Sequence, residues 1–245
     1  MKQKHQLLSV RIKGIIMQSI SLEQNISAAE SAVKATNERF EVVGIKAEVN
    51  QHRSGRKFSF VHIDCPPNHW TSLAKWLRFE QEVDYLSMIT GIHFPLEYEF
   101  FTGKPGYNPG TPEKGWEVVI HLTRKGIKNP KVGEQTIINA SKLTGMEIPL
   151  EYQISLVLPQ TDEPKVPSVQ SIWEGADWNE KETWDLVGIE FEGHKNMMRV
   201  LNPHDSPPGF HPLQKQHKIR YHDHNEMYDD AQGFMRKPLD SDKKK

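Results

Sequence analysis

Apolar and polar positions alternate or recur along most of the first 160 residues, and the spacing assigns elements. Ser27 with Glu30 has capping-box spacing, and Ala29, Ala32, Val33, Thr36 and Phe40 follow on one helical face. Val43, Ile45, Ala47 and Val49 alternate as a strand does. The basic stretch His52 to Lys57, with Ser54-Gly55, reads as the hairpin tip leading to a second strand that ends near Asp64. Trp70, Leu73, Ala74 and Leu77 recur at i, i+3, i+4 and i+7, which predicts a second amphipathic helix. Val83 to Ile92 is apolar on both faces, the pattern of a central strand. Trp116, Val118, Ile120 and Leu122 mark one strand face; Tyr152, Ile154, Leu156 and Leu158 mark another. Together these predict an α+β fold, a mixed and largely antiparallel sheet with two helices packed on it. A proline-rich linker, Pro159 to Pro167, closes this domain. The resulting division is an N-terminal extension (1–26), the α+β domain (27–163), a partner-binding region (164–219) and an extended tail (220–245).

The stretch from Pro164 to Lys215 breaks the pattern by placing Trp173, Trp178 and Trp184 among carboxylates. So much aromatic area is unfavourable on a free surface, so the segment either folds into a core or is covered by a partner. Asp177 and Glu180 have capping-box spacing for a short helix from about Trp178 to Val187. That helix would carry Trp178, Glu182 and Asp185 on one face, and Glu180, Trp184 and Val187 on another. Gly188 suits a left-handed helix end, and Ile189 and Phe191 alternate with Glu190 and Glu192 as a short strand. Gly193 permits a turn, and Asn196 to Leu201 has room for one or two helical turns. The clustered carboxylates have the elements of an acid/base pair, but capping, pairing with Lys181 or meeting a partner's arginine explains them more simply.

Composition narrows the chemistry. A formal charge of −1 argues against a nucleic-acid binder held by bulk electrostatics. The single cysteine, Cys65, cannot by itself ligate an iron–sulfur cluster or build a cysteine-rich zinc site; before Pro66-Pro67 at a strand end, it is expected to be buried as a small apolar group. No apolar run approaches the roughly 20 residues that span a bilayer. The nearest, Leu7 to Ile20, is interrupted by Arg11, Lys13 and Gln18 and lacks a small-residue cleavage site, so no secretory signal is expected. Phosphate-loop, dinucleotide and nucleophile-elbow motifs are missing. His204, His211, His217, His222 and His224, with Asp205, Asp223 and Glu226, form the one metal-like cluster. Their spacing matches no established zinc pattern; solvated loop histidines are the plainer reading, and a stand-alone metal-dependent enzyme using them with Glu180, Glu182 or Asp185 is the alternative. Tyr221, Met227, Tyr228 and Phe234 recur along an otherwise charged tail, as anchors that order on a neighbour would.

Read in order, Glu180-Lys181-Glu182, Asp185, Gly188-Ile189, Phe191, Gly193-His194, Arg199 and Leu201 resemble the signature of the thirty-kilodalton subunit of NADH–quinone oxidoreductase, respiratory complex I. Pro164 to Val169, Ile172-Trp173, Gly175 to Trp178 and His211 to Lys215 extend the resemblance, in wording nearest the cyanobacterial and chloroplast form. Upstream, Glu117 to Leu122 and Tyr85 to Gly91 fit more loosely, and 103–115 and 125–148 look like enlargements. Lys181, Lys195, Met198, Gln214 and Gln216 depart from the family's wording, which marks a divergent member. The resemblance implies a non-catalytic subunit of a complex I-like hydrophilic arm on the cytoplasmic side of the membrane, touching the membrane only through partners. It implies no cofactor in this chain; iron–sulfur clusters, donor cofactor and quinone would sit in neighbours. The quinone-site large subunit and iron–sulfur subunits would be those neighbours, met through Trp178, Glu180, Glu182, Asp185, His194, Arg199, Pro212, Leu213 and Lys215, with the tail anchors alongside. The donor, whether NADH, ferredoxin or a deazaflavin, would bind elsewhere.

Overall fold

The computed structural model describes residues 20–52, 57–96, 109–126, 140 and 143–215, and the backbone of 11–12 and 15–16. The expectations for 97–108, 127–139 and 216–245 lie outside the described residues. So do the tail anchors Tyr221, Met227, Tyr228 and Phe234, and His217, His222, Asp223, His224 and Glu226.

Two short strands, β1 (Arg11–Ile12) and β2 (Ile15–Ile16), pair antiparallel. Helix α1 (Leu22–Phe40) follows, earlier than the spacing at Ser27 suggested. The box that starts it is Ser21 with Gln24: the Ser21 hydroxyl accepts from the Gln24 N–H, and the Gln24 amide oxygen accepts from the Ser21 N–H. Ser27 is interior, and the expected boundary at residue 26 cuts this helix. Beyond a 3-10 turn (Glu41–Val43) and a left-handed Gly44 come β3 (Lys46–Gln51), β4 (Ser59–Asp64), α2 (Trp70–Phe79), β5 (Tyr85–His93), β6 (Trp116–Arg124) and β7 (Leu150–Leu158).

The five strands order as β3-β4-β7-β6-β5. Only β4 and β7 run parallel, with Val61 opposite Tyr152; the other pairs are antiparallel. The α+β expectation holds. The alternating residues Val61, Ile63, Val118, Ile120, Leu122, Tyr152, Ile154 and Leu156 are all buried, under Ala29 and Ala32 of α1 and Trp70, Leu73, Ala74 and Leu77 of α2.

One assignment changes. β5 is an edge strand, not a central one. A third helix, α3 (Ala176–Val187), lies along its outer edge, while Met88 on the far face stays 43% exposed. The Asn179 side chain accepts from the Ile89 N–H at 3.2 Å, and the Thr183 hydroxyl donates to the Ile89 carbonyl at 3.1 Å. On the opposite edge Asn37 of α1 does the same for Ala47 of β3, accepting its N–H at 2.9 Å and donating to its carbonyl at 3.0 Å. Helix side chains thus occupy backbone groups on both outer strands, which protects an open sheet against edge pairing.

Gly91 sets how closely α3 approaches. A Cβ there would lie 2.9 Å from Ile189 Cδ1, 3.0 Å from Thr183 Cγ2 and 3.2 Å from Val187 Cγ1. Gly91→Val is therefore expected to force α3 outward and to destabilise the fold by about 1–3 kcal/mol, with Gly91→Ala costing less. Urea unfolding of the two variants measures this; equal midpoints for Gly91→Val and the unsubstituted chain would show that the approach is not tight.

Candidate functional site

The segment 164–215 neither builds a separate core nor stays bare. Val166, Val169, Trp173, Ala176, Val187, Ile189 and Phe191 join the same hydrophobic cluster as the sheet. Trp173 stacks on Trp70 at 6.3 Å and donates its Nε1–H to the Val83 carbonyl at 3.0 Å. Burying an indole of roughly 200 Å² at about 25 cal/mol per Å² is worth about 5 kcal/mol, enough to fix the proline-rich linker against the domain. β9 (Glu190–Glu192) is the short strand that the alternation at Ile189 and Phe191 predicted; it pairs parallel with β8 (Lys165–Pro167), inside the expected linker, and Gly188 and Gly193 are left-handed with φ of 89° and 84°.

Asp177 is not the cap of α3. The helix starts behind Gly175 without a side-chain cap, and Asp177 sits in its first turn. It holds Lys181 at 2.8 Å and the Gln170 amide, and these, with Lys181 foremost, lower its pKa. Glu180 faces inward and is fully buried. Its carboxylate accepts from the Ser168 hydroxyl at 2.6 Å and the Val169 N–H at 2.8 Å. Burial nevertheless pushes its pKa up to about 7, against the pull of those two hydrogen bonds. The His194 ring, with no exposed side-chain surface, has Nε2 3.4 Å from Asp177 and 3.9 Å from Glu180. Its Nδ1 accepts the Asn196 N–H at 3.2 Å, which places the neutral ring's proton on Nε2.

At the other end of α3, the Asp185 carboxylate anchors residues 199–202 of the segment from Lys195 to Lys215. Residues 196–201 are not helical, as their length had suggested; they form a turn and an extended strap. One Asp185 oxygen accepts the N–H groups of Val200, Leu201 and Asn202 at 2.8–3.0 Å. The other accepts Arg199 Nη1 at 2.8 Å and the Asn202 amide at 2.9 Å. Burial of Asp185 would raise its pKa, but the bonds from Asn202, Leu201 and Arg199 outweigh it and hold the group well below the ordinary carboxylate range. Helical turns at 196–201 lose because these N–H groups are held by a carboxylate instead of by carbonyls. Farther along, His211 Nδ1 meets the Asp185 carbonyl at 3.0 Å, the Leu213 N–H reaches the Leu186 carbonyl at 2.9 Å, and the Gln214 amide caps Val187 at 2.9 Å. Lys215 ends the strap by donating its N–H to His93 Nδ1 at 3.1 Å. Burial, helped by Lys215, lowers the His93 pKa to about 4, and its ring stacks on Trp116 at 4.0 Å.

The nine residues expected at a partner contact therefore divide. Glu180, Asp185, His194 and Arg199 are spent inside the chain. Trp178, Leu213 and Lys215 are exposed, and Glu182 and Pro212 half-buried. Of the departures from the family wording, Lys181 and Gln214 make local bonds, and Lys195 and Met198 lie exposed. Among the described residues no group of three or more His, Cys, Asp or Glu is placed to hold a metal ion. His204 is exposed and His211 belongs to the strap. Cys65 is buried as expected, with its thiol pushed up to about 12 by burial. The reading from sequence missed Ser168, Asn179, Thr183 and Asn202. The available signal was small polar residues interrupting an apolar face, since such residues satisfy backbone groups when buried.

Comparison with known proteins locates this arrangement. The C-type subunit of NADH-quinone oxidoreductase from Chloroherpeton thalassium is 48% identical over 63 residues, covering 25% of each chain. The C/D subunit of the NADH-quinone oxidoreductase of Methylococcus capsulatus is 38% identical over 80 residues, 32% of this chain and 13% of that protein. The chain thus spans well under two thirds of these curated relatives. In the solved structure of the membrane-bound sulfane sulfur reductase, an archaeal respiratory membrane complex, one chain shares the fold. Its TM-score is 0.50 at 17% identity, over 85% of this chain and 94% of that one. The family model of the respiratory-chain NADH dehydrogenase 30 kDa subunit matches residues 63–223, and the chain belongs to that family.

Proposed function

We propose that the chain is a non-catalytic structural subunit in the hydrophilic arm of a complex I-like, proton-translocating quinone oxidoreductase. It packs on the quinone-site subunit beside iron–sulfur subunits, and electron transfer and the donor site belong to those neighbours. The observation that carries this reading is the commitment of the family signature to structure. Glu180, Asp185, His194 and Arg199 each hold backbone or each other, so the segment acts as a shaped and rigid surface. The single cysteine supports a chain that relies on neighbours for clusters. A relative whose name joins C and D in one polypeptide supports a chain that stays with a neighbour. Among the described residues no helix is long and apolar enough to cross a membrane. In this reading the chain sits peripherally on the cytoplasmic side and meets the membrane through partners.

The test is purification of the tagged full-length chain from its own cells in mild detergent. Oxidoreductase subunits and quinone-reducing activity should co-purify in constant proportion, while the chain expressed alone should carry neither iron nor flavin. Elution as a free protein, or intrinsic metal in the isolated chain, would overturn the reading.

A further inference from the structure

Within the chain, Arg199 shows how this surface binds a guanidinium. Its Nη1 lies 2.8 Å from the Asp185 carboxylate, and its guanidinium carbon lies 5.7 Å from the centre of the Trp184 ring. A carboxylate next to an indole suits arginine, whose planar cation bonds the one and stacks on the other. The adjacent face of α3 repeats that chemistry outward. Trp178 and Glu182 are one turn apart, side by side on the helix surface. Trp178 is 54% exposed and Glu182 half-buried. The other carboxylates of α3 are engaged, Asp177 by Lys181, Glu180 by Ser168 and Asp185 by Arg199, whereas Glu182 has no ion-pair partner among the described residues. The strap extends the face: the Leu201 N–H on Asp185 sets Leu201, 54% exposed, over the next turn. An uncompensated carboxylate thus lies one turn from an exposed indole and less than one turn from Asp185, which anchors the Leu201 backbone, along about 10 Å of helix.

We propose that Trp178, Glu182 and Leu201 form a receptor for an arginine carried between apolar side chains on the neighbouring subunit. The arginine bonds Glu182 and stacks on Trp178, while its apolar flank covers Leu201. This inference rests on the subunit role proposed above and names where, and by what chemistry, the neighbour is gripped.

Full-length variants expressed in the native host test it by retention in the purified complex. Trp178→Ala and Glu182→Lys should each lower retention at least tenfold, and Leu201→Ser several-fold, with the melting temperature of the isolated chain unchanged. Glu182→Gln should remove part of the salt sensitivity of retention. Phe79→Ala, at a barer apolar residue on α2 with 71% exposure, should have no effect. If the unsubstituted chain is not retained, the subunit role itself fails. If it is retained and the three face variants match it, or Phe79→Ala is as damaging as they are, this receptor is wrong. A dimer of the isolated chain that Trp178→Ala converts to monomer would instead make the face a contact between copies, and would also overturn the proposal.

Discussion

Replacing Asp185 by Ala is expected to free the strap from Lys195 to Lys215 while the sheet beneath it stays folded. The carboxylate is fully buried and collects five hydrogen bonds, three of them from the consecutive N–H groups of residues 200–202. Removing it leaves those donors unmatched and leaves the Arg199 side chain, 9% exposed, without its counter-charge. Breaking one side of a buried pair costs about 3–5 kcal/mol, as much as or more than the contacts at Leu213, Gln214 and Lys215 supply at a net gain of about 1 kcal/mol each. The loss should appear first as local opening: faster hydrogen exchange and protease cleavage between Lys195 and Lys215, with strands β4, β6 and β7 still protected. Asp185→Asn keeps the shape but turns an amide donor toward backbone donors, so it should fall between the two. Unchanged exchange in the strap of Asp185→Ala would show that the segment is held by its later contacts instead. Because Leu201 is placed through Asp185, the same variant should also weaken retention by the complex.

How much of this was legible before folding depends on how local each cause is. The strands at β6 and β7 and the helix at Trp70 follow from alternation and 3.6-residue spacing, because each element buries one face against one layer. β5 was misplaced since its outward edge is covered by α3, a contact between residues about 90 positions apart that no window sees. Asp177 looked like a cap because Asp before a helix usually is one; here Gly175 begins the helix and the carboxylate is taken by Lys181 and Gln170. The strap had no periodic signal, as its start is held by a carboxylate 14 to 17 residues earlier and its end by α3 carbonyls and His93. Family wording named residues without showing which of them face inward. A charged signature reads as a surface, yet Glu180, Asp185, His194 and Arg199 face inward, while Trp178 is exposed and Glu182 half-buried.

The Glu180→Gln variant should be more stable than the unsubstituted chain above neutral pH and nearly equal to it in mild acid. Glu180 has a folded pKa near 7 against 4.5 for a free side chain, with burial the main cause. A raised carboxyl pKa means that the folded state binds the proton more tightly than the unfolded state. Its contribution is therefore fully present below about pH 4.5 and is lost as pH rises through 7. A shift of that size corresponds to about 3 kcal/mol. Glutamine mimics the protonated acid: its carbonyl accepts the Val169 N–H, and its amide donates to the Ser168 hydroxyl in place of the acid proton. His93, whose folded pKa is lowered, works in the opposite direction, its contribution growing as pH rises from about 4 through 6.5. It does so equally in both proteins, so it cancels from the difference between them. Asp185, held low, loses its contribution only in stronger acid and also cancels. Urea unfolding at pH 5 and pH 8 should then show a gap that opens by about 2–3 kcal/mol in favour of Glu180→Gln. A constant gap at both pH values would mean that the buried carboxylate is ionised throughout, and that the Ser168 and Val169 bonds, rather than a proton, support it.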